Sequence, residues 1–265
     1  MMEKMIVGRY LPADSVVHKM DPRAKLLFIF GFVIIVFLAN NAVTYAVLGA
    51  ITCLIVLLSR VKLRFLINGL KPVLILILFT FFLHVFFTKE GDILAQIGFL
   101  TIYKGGVIKG VLISIRFLLL IFVTSLLTLT TPPISVTDGI ESLFGPLKKL
   151  KLPVHELALM MSISLRFIPT LLDETDKIMK AQMARGADFS SGSIPERVKA
   201  VIPLLIPLFV SAFKRAEELA VAMEARGYKG SEGRTKYRIL QWSTRDTIAM
   251  FLLVALCAAL FMLRS

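Results

Sequence analysis

Residues 107–130 read VIKGVLISIRFLLLIFVTSLLTLT, an apolar run with no acidic residue and only two cations, Lys109 and Arg116. A bilayer core about 30 Å thick needs roughly 20 apolar residues in a helix, so this run is long enough to cross one. The composition of the whole chain points to the same solvent. Of 265 residues, 57% are hydrophobic, above the roughly 45–50% of ordinary globular domains, and the excess must face lipid. The formal charge of +13, from 31 Lys and Arg against 18 Asp and Glu, is too large to be spread through hydrocarbon and must sit in separate blocks. Cys53 and Cys257 lie in apolar runs with no C-x-x-C spacing, so no disulfide framework, metal site or cofactor is expected.

Four more acid-free runs lie at 26–39, 42–58, 70–87 and 247–263. Together they predict an all-α membrane protein with about five transmembrane helices. Asn40 and Asn41 form a polar turn between the first two, making them a hairpin. Glu3, Asp14 and Asp21 interrupt the segment before the first apolar run, which argues against a cleavable signal peptide. Asp21 and Pro22 suit the N-cap and first position of the helix that enters the membrane. Orientation follows from the Lys and Arg of the flanking segments. Lys4, Arg9, Lys19, Arg23 and Lys25 precede the first span, and Arg60, Lys62, Arg64 and Lys71 follow the second. Both segments belong inside. Residues 88–105 carry only Lys89 and Lys104, balanced by Glu90 and Asp92, and belong outside. Alternation then places 131–245, with 17 Lys and Arg, in the cytoplasm. Topology thus explains the basic charge, and nucleic-acid binding is not expected, since no interleaved aromatic surface accompanies it.

Within that segment two amphipathic helices are expected. In 154–183, Leu157, Met160, Met161, Leu165, Ile168, Leu171, Leu172, Ile178 and Met179 recur at spacings of three and four, with Asp173, Glu174, Asp176, Lys177 and Lys180 mostly off the stripe. Pro169 is placed to kink it. After a Gly and Ser linker, Ser193 and Glu196 form a capping-box pattern. A stripe of Val198, Val201, Leu204, Leu205, Leu208, Ala212, Ala216, Leu219 and Met223 follows, bent by Pro203 and Pro207, with Lys214, Arg215, Glu217 and Glu218 on a wet face. Both segments close on one tripeptide, Ala184, Arg185 and Gly186 in the first and Ala225, Arg226 and Gly227 in the second, so the step from Arg185 to Arg226 is the interval of a helix repeat. Glycine at C′ can take the left-handed cap and arginine in the last turn complements the helix dipole, so ordinary capping is one reading. The other is a matched pair of cationic forks, suited to a partner that offers two equivalent acidic grooves, such as a dimer of similar subunits.

These residues resemble the transmembrane T component of energy-coupling factor importers, the bacterial and archaeal transporters for vitamins and transition metals. The likeness spans nearly the whole chain. His18, Asp21, Pro22, Arg23 and Lys25 resemble the family's opening signature, Leu165, Arg166, Phe167, Ile168 and Pro169 its mid-chain signature, and the paired Ala-Arg-Gly endings its most specific mark. The resemblance implies that the two endings dock into two nucleotide-binding ATPase subunits, while the membrane helices hold a separate substrate-binding S component. On this reading 1–131 is a membrane region with four spans, 132–245 a cytoplasmic coupling-helix region and 246–265 a C-terminal transmembrane helix. The chain would sit in the cell membrane as a non-catalytic subunit, N-terminus and coupling helices inside.

Other chemistry finds less support. No G-x-x-x-x-G-K-[ST] occurs, so ATP hydrolysis would have to reside in partners. A stand-alone secondary carrier is the leading alternative, yet none of the five runs contains the carboxylate that would couple an ion gradient. His155 and Glu156 begin an H-E-x-x-H pattern that fails at Leu159. Arg116 lies deep enough to require carbonyls or a protein partner, and two roles stay open for it: packing within the chain and contact with the S component. Gly106 and Gly110 form a G-x-x-x-G that suits close helix packing, internal or between subunits.

Overall fold

The computed structural model describes residues 10–97, 100–150, 152–189, 193–230 and 238–263. The linker at 190–192, Glu3, Lys4 and Arg9 of the first segment, and Lys151, Arg234 and Lys236 of the charge count lie outside the described residues. The chain forms two compact units, one from Gly8–Ser142 with Leu240–Ser265 and the other from Leu143–Ile239. The first holds helices α1 (Pro22–Val36), α2 (Ala42–Ser59), α3 (Leu63–Phe87), α4 (Lys104–Thr130) and α8 (Thr244–Leu263). Its hairpin β1 (Ile93–Ile97) and β2 (Leu100–Tyr103) joins α3 to α4. Helix α5 (Pro133–Phe144) leads out of this unit, and a 3₁₀ turn, Gly145–Leu150, precedes α6 (Val154–Ala184) and α7 (Ile194–Ala225) in the second.

By length and composition alone five helices can cross a bilayer: α2, α3 from Gly69, α4, α6 and α8. Four coincide with runs read from the sequence, and the set differs at α1 and α6. Helix α1 has 15 residues, about 22 Å, well short of a bilayer core. It begins four residues before the apolar run and ends early, where Phe37, Leu38 and Ala39 donate to the carbonyls of Ile34, Ile35 and Val36 and tighten the chain into the turn. Phe32 and Val36 are nevertheless fully buried, in a core shared with Leu48 of α2, Leu119 of α4 and Leu256 and Leu260 of α8. Its other face is open, with Phe30 66% and Ile34 69% exposed, so α1 is packed on one side only. Helix α6 enters the set through an apolar first half, but Arg166 lies at its middle and five charged residues in its second half.

The G-x-x-x-G packs inside the chain. A methyl group on Gly106 would lie 2.8 Å from the His84 carbonyl oxygen, and one on Gly110 would lie 3.1 Å from the Phe81 ring, so α3 and α4 approach to within backbone contact. The hairpin in the segment assigned to the outside was not visible in the spacing of its residues.

A buried polar knot fastens the first unit at one end. Asp21 caps α1 by accepting from the Arg23 N–H at 2.8 Å, as expected, and its carboxylate also accepts from the Arg23 guanidinium at 2.8 and 3.1 Å. That guanidinium reaches Ser142 Oγ and the Leu240 carbonyl, both at 3.3 Å, and lies over the Trp242 ring. The fully buried Asp246 accepts from the Asp21 N–H at 2.9 Å, the Ser243 N–H at 2.7 Å and the Ser243 hydroxyl at 2.8 Å. Lys25, which precedes the apolar run of α1, donates to the Thr130 carbonyl, Thr131 Oγ1 and the His18 carbonyl at 3.0, 3.0 and 3.3 Å. Burial brings its pKa down to about 8, against the pull of Asp246 and Asp21. His18 lies between Ser15 Oγ at 2.7 Å and the Leu11 carbonyl at 3.0 Å, and burial lowers its pKa too. The opening signature therefore ties the starts of α1 and α8 to the end of α4.

Candidate functional site

The two Ala-Arg-Gly endings adopt one conformation. Arg185 and Arg226 are C-cap residues with φ −89° and −88° and ψ 6° in both. Gly186 and Gly227 follow in the left-handed region, at φ 89° and 75°, which a side chain would strain. The Ala187 N–H donates to the Gln182 carbonyl and the Gly186 N–H to the Met183 carbonyl, both at 3.0 Å. In the second ending the Tyr228 N–H donates to Met223 at 3.0 Å and the Gly227 N–H to Glu224 at 2.8 Å. These are the paired bonds of a Schellman cap. Backbone and glycine make the cap, so neither guanidinium is needed for it. Ala184, Arg185, Ala225 and Arg226 are exposed, and among the described residues neither guanidinium has a hydrogen-bond or ion-pair partner.

The helices that carry these ends meet through a pair of charged residues that the stripe reading left facing water. Glu174 of α6 accepts from the Arg215 guanidinium of α7 at 3.0 Å and from the Ser211 hydroxyl, and Arg215 Nε closes the ring on Ser211 Oγ at 3.4 Å. An apolar groove of about 330 Å³ lies beside it, lined by Ile163, Phe167 and Leu171 of α6 and by Ala212, Ala216 and Met223 of α7. The groove brings together residues N-terminal to Glu174 and residues C-terminal to Ser211, so the helices pass each other antiparallel and their Arg-bearing ends leave the contact in opposite directions. Phe167 of the mid-chain signature lines this groove, while Arg166 and Pro169 are exposed. Much of the apolar surface of α7 remains uncovered: Val198, Ile202, Ile206, Phe209, Val210 and Phe213 are all at least half exposed, and of these only Val198 belongs to the stripe read from the sequence.

Arg116 is held inside the chain. Its Nη2 donates to the Ala39 carbonyl at 2.9 Å, and its guanidinium lies 5.3 Å from the ring of Phe37 on the α1–α2 turn and 5.8 Å from that of Tyr45 in α2. Its buried Nε N–H has no partner among the described residues. Replacing Arg116 by Met should lower the stability of the purified chain by about 0.6–1.7 kcal/mol, the worth of an intramembrane hydrogen bond. A thermal unfolding series in detergent measures this, and an unshifted midpoint would mean the contact holds nothing.

The fold defines the class: a multi-pass helical membrane protein with two long helices that end in matched, exposed arginines. Known proteins place it further. The family described as CbiQ, cobalt transport protein, matches residues 13–237. The energy-coupling factor transporter transmembrane protein EcfT of Bacillus subtilis strain 168 is 65% identical over 265 residues, all of both chains. Its counterpart in Macrococcus caseolyticus strain JCSC5402 is 58% identical over 266 residues, and that of Listeria innocua 56% identical over 265 residues, again across all of both chains. The chain belongs to this family of energy-coupling factor transporter transmembrane proteins.

Proposed function

We propose that the chain couples ATP hydrolysis by two partner ATPase subunits to uptake of a vitamin or transition metal by a separate membrane S component, and has no catalytic site of its own. The observation that carries this reading is the pair of identical caps, each offering an exposed guanidinium in the same backbone geometry. A fork of five donors is matched by an acidic groove, and two forks by two copies of one. The uncovered apolar face of α7 supports a further partner, because so large a patch is rarely left to water. Arg116, satisfied in part by Ala39, serves as an internal brace in this scheme. Purification of the tagged chain from native membranes should bring down two ATPase subunits and a small membrane protein. Recovery of the chain alone would overturn the assignment.

In the membrane, α1 to α4 and α8 cross, and the N-terminus with α6 and α7 faces the cytoplasm, by the excess of Lys and Arg there. Single cysteines replacing Asp92 and Lys214, in a chain with Cys53 and Cys257 changed to Ser, should react with an impermeant thiol reagent from opposite sides. Labelling of both from the same side would mean that α6 crosses instead of α1.

A further inference from the structure

We infer that the Glu174, Ser211 and Arg215 cluster is a fulcrum that fixes the angle between the two Arg-bearing arms, an inference that rests on the docking role proposed for those arms. The first ground is symmetry. The step along the chain from Glu174 to Arg215 equals the step from Arg185 to Arg226, so the ion pair joins equivalent positions of the two helices. Glu174 therefore stands as far before Arg185 as Arg215 stands before Arg226, about 16 Å along the helix. The caps are thus two equal arms from one point, at most roughly 33 Å apart.

The second ground is stiffness. Pro169 precedes the fulcrum on α6, and Pro203 and Pro207 precede it on α7, where each removes a backbone hydrogen bond. The arms beyond it, 175–184 and 216–225, contain no proline or glycine. Motion behind the fulcrum bends the helices, while the arms turn as rods.

The third ground is directionality. The neighbouring groove is faced on α7 by Ala212, Ala216, Leu219, Ala220 and Met223 and on α6 by Ile163, Phe167 and Leu171, so what it adds beside the cluster is apolar contact. Apolar contact is non-directional; a two-oxygen carboxylate held by a guanidinium and a hydroxyl is not. Both partners are partly shielded, with 23% of the Glu174 and 35% of the Arg215 side chain exposed, so water competes only in part. The cluster is therefore a positioning device and touches no ligand.

The test uses spin labels on the full-length chain in lipid nanodiscs, at Met183→Cys and Glu224→Cys, which occupy equivalent exposed positions in the last turns of the two arms. The distance distribution should be narrow with the native cluster, broad with Glu174→Ala or Arg215→Ala, and narrow again with Glu174→Arg combined with Arg215→Glu. Uptake per ATP hydrolysed by the assembled transporter should fall roughly 2- to 30-fold in the single variants, the range seen for residues that carry coupling, and recover in the exchanged pair. A distribution that stays narrow in both alanine variants overturns the fulcrum. The docking reading is tested separately: Arg185→Ala should leave the distribution narrow while it weakens assembly, so loss of either role is seen without the other.

Discussion

A chain carrying Arg185→Ala and Arg226→Ala together will insert and fold normally and yet fail to retain the ATPase subunits. On the docking proposed above, each guanidinium meets an acidic group and is worth about 1.5–3 kcal/mol as a charge-assisted contact. The two ends lie far enough apart for their losses to add, which lowers affinity by about two to four orders of magnitude. Either single change should weaken the complex by its own share, and Arg→Lys should restore only part, because an ammonium lacks the planar fork. The competing reading, in which the arginines serve only as helix caps, makes a different forecast. The caps close through the N–H groups of Gly186, Ala187, Gly227 and Tyr228, and loss of a side chain leaves those bonds in place. Only the dipole contribution of about 0.3–1 kcal/mol at each end would disappear. Co-purification of the ATPase subunits, with substrate uptake in cells, separates the two. Full assembly with undiminished uptake would leave the repeat as ordinary capping.

What the sequence disclosed, and what it hid, divides by range of interaction. The Asp21–Pro22 start of α1, the Ser193–Glu196 start of α7 and the glycine-capped ends of α6 and α7 depend on bonds between near neighbours in the chain, and each was legible as a motif. The Ser193 N–H does donate to Glu196 at 2.8 Å. Four of the five spans were legible because hydrocarbon length is an absolute ruler. The end of helix α1 was harder to place, since the turn that follows it is held by Arg116, remote in the chain. Glu174 and Arg215 looked like wet-face charges because periodicity records distance from a stripe and cannot record which charges meet across two helices. The repeat interval held the clue: it maps an acid onto a base at the place where two antiparallel helices touch. Asp246 also left a trace, as the acid of a Ser243-x-x-Asp246 capping pattern before an apolar run. Its bond to the Asp21 backbone had none.

The largest loss of stability should follow Asp246→Ala. The carboxylate is fully buried and serves three donors, two of them the backbone N–H groups of Asp21 and Ser243. Alanine leaves those donors without an acceptor and removes the first of the two charges that support buried Lys25. Breaking a buried charge arrangement in this way costs about 3–5 kcal/mol, which for a chain of this size lowers the melting temperature by roughly 10 °C. Asp246→Asn should cost less, since one oxygen can still accept from Asp21 while the amide nitrogen faces the Ser243 donors. Asp14→Asn, which breaks an exposed pair with Lys19, should sit within about 0.5 kcal/mol of the parent. The pH dependence identifies the mechanism. A lysine lowered from 10.5 to about 8 binds its proton less tightly in the folded state than in the unfolded state, so stability rises as pH climbs between those values. Without Asp246 the Lys25 pKa falls further, and the variant escapes its uncompensated charge at lower pH than the parent does. The gap in melting temperature between parent and Asp246→Ala should therefore narrow as pH rises through 8. The part that remains well above 8 measures the two orphaned N–H groups, and a gap constant across that range would show that Lys25 takes no share in the loss.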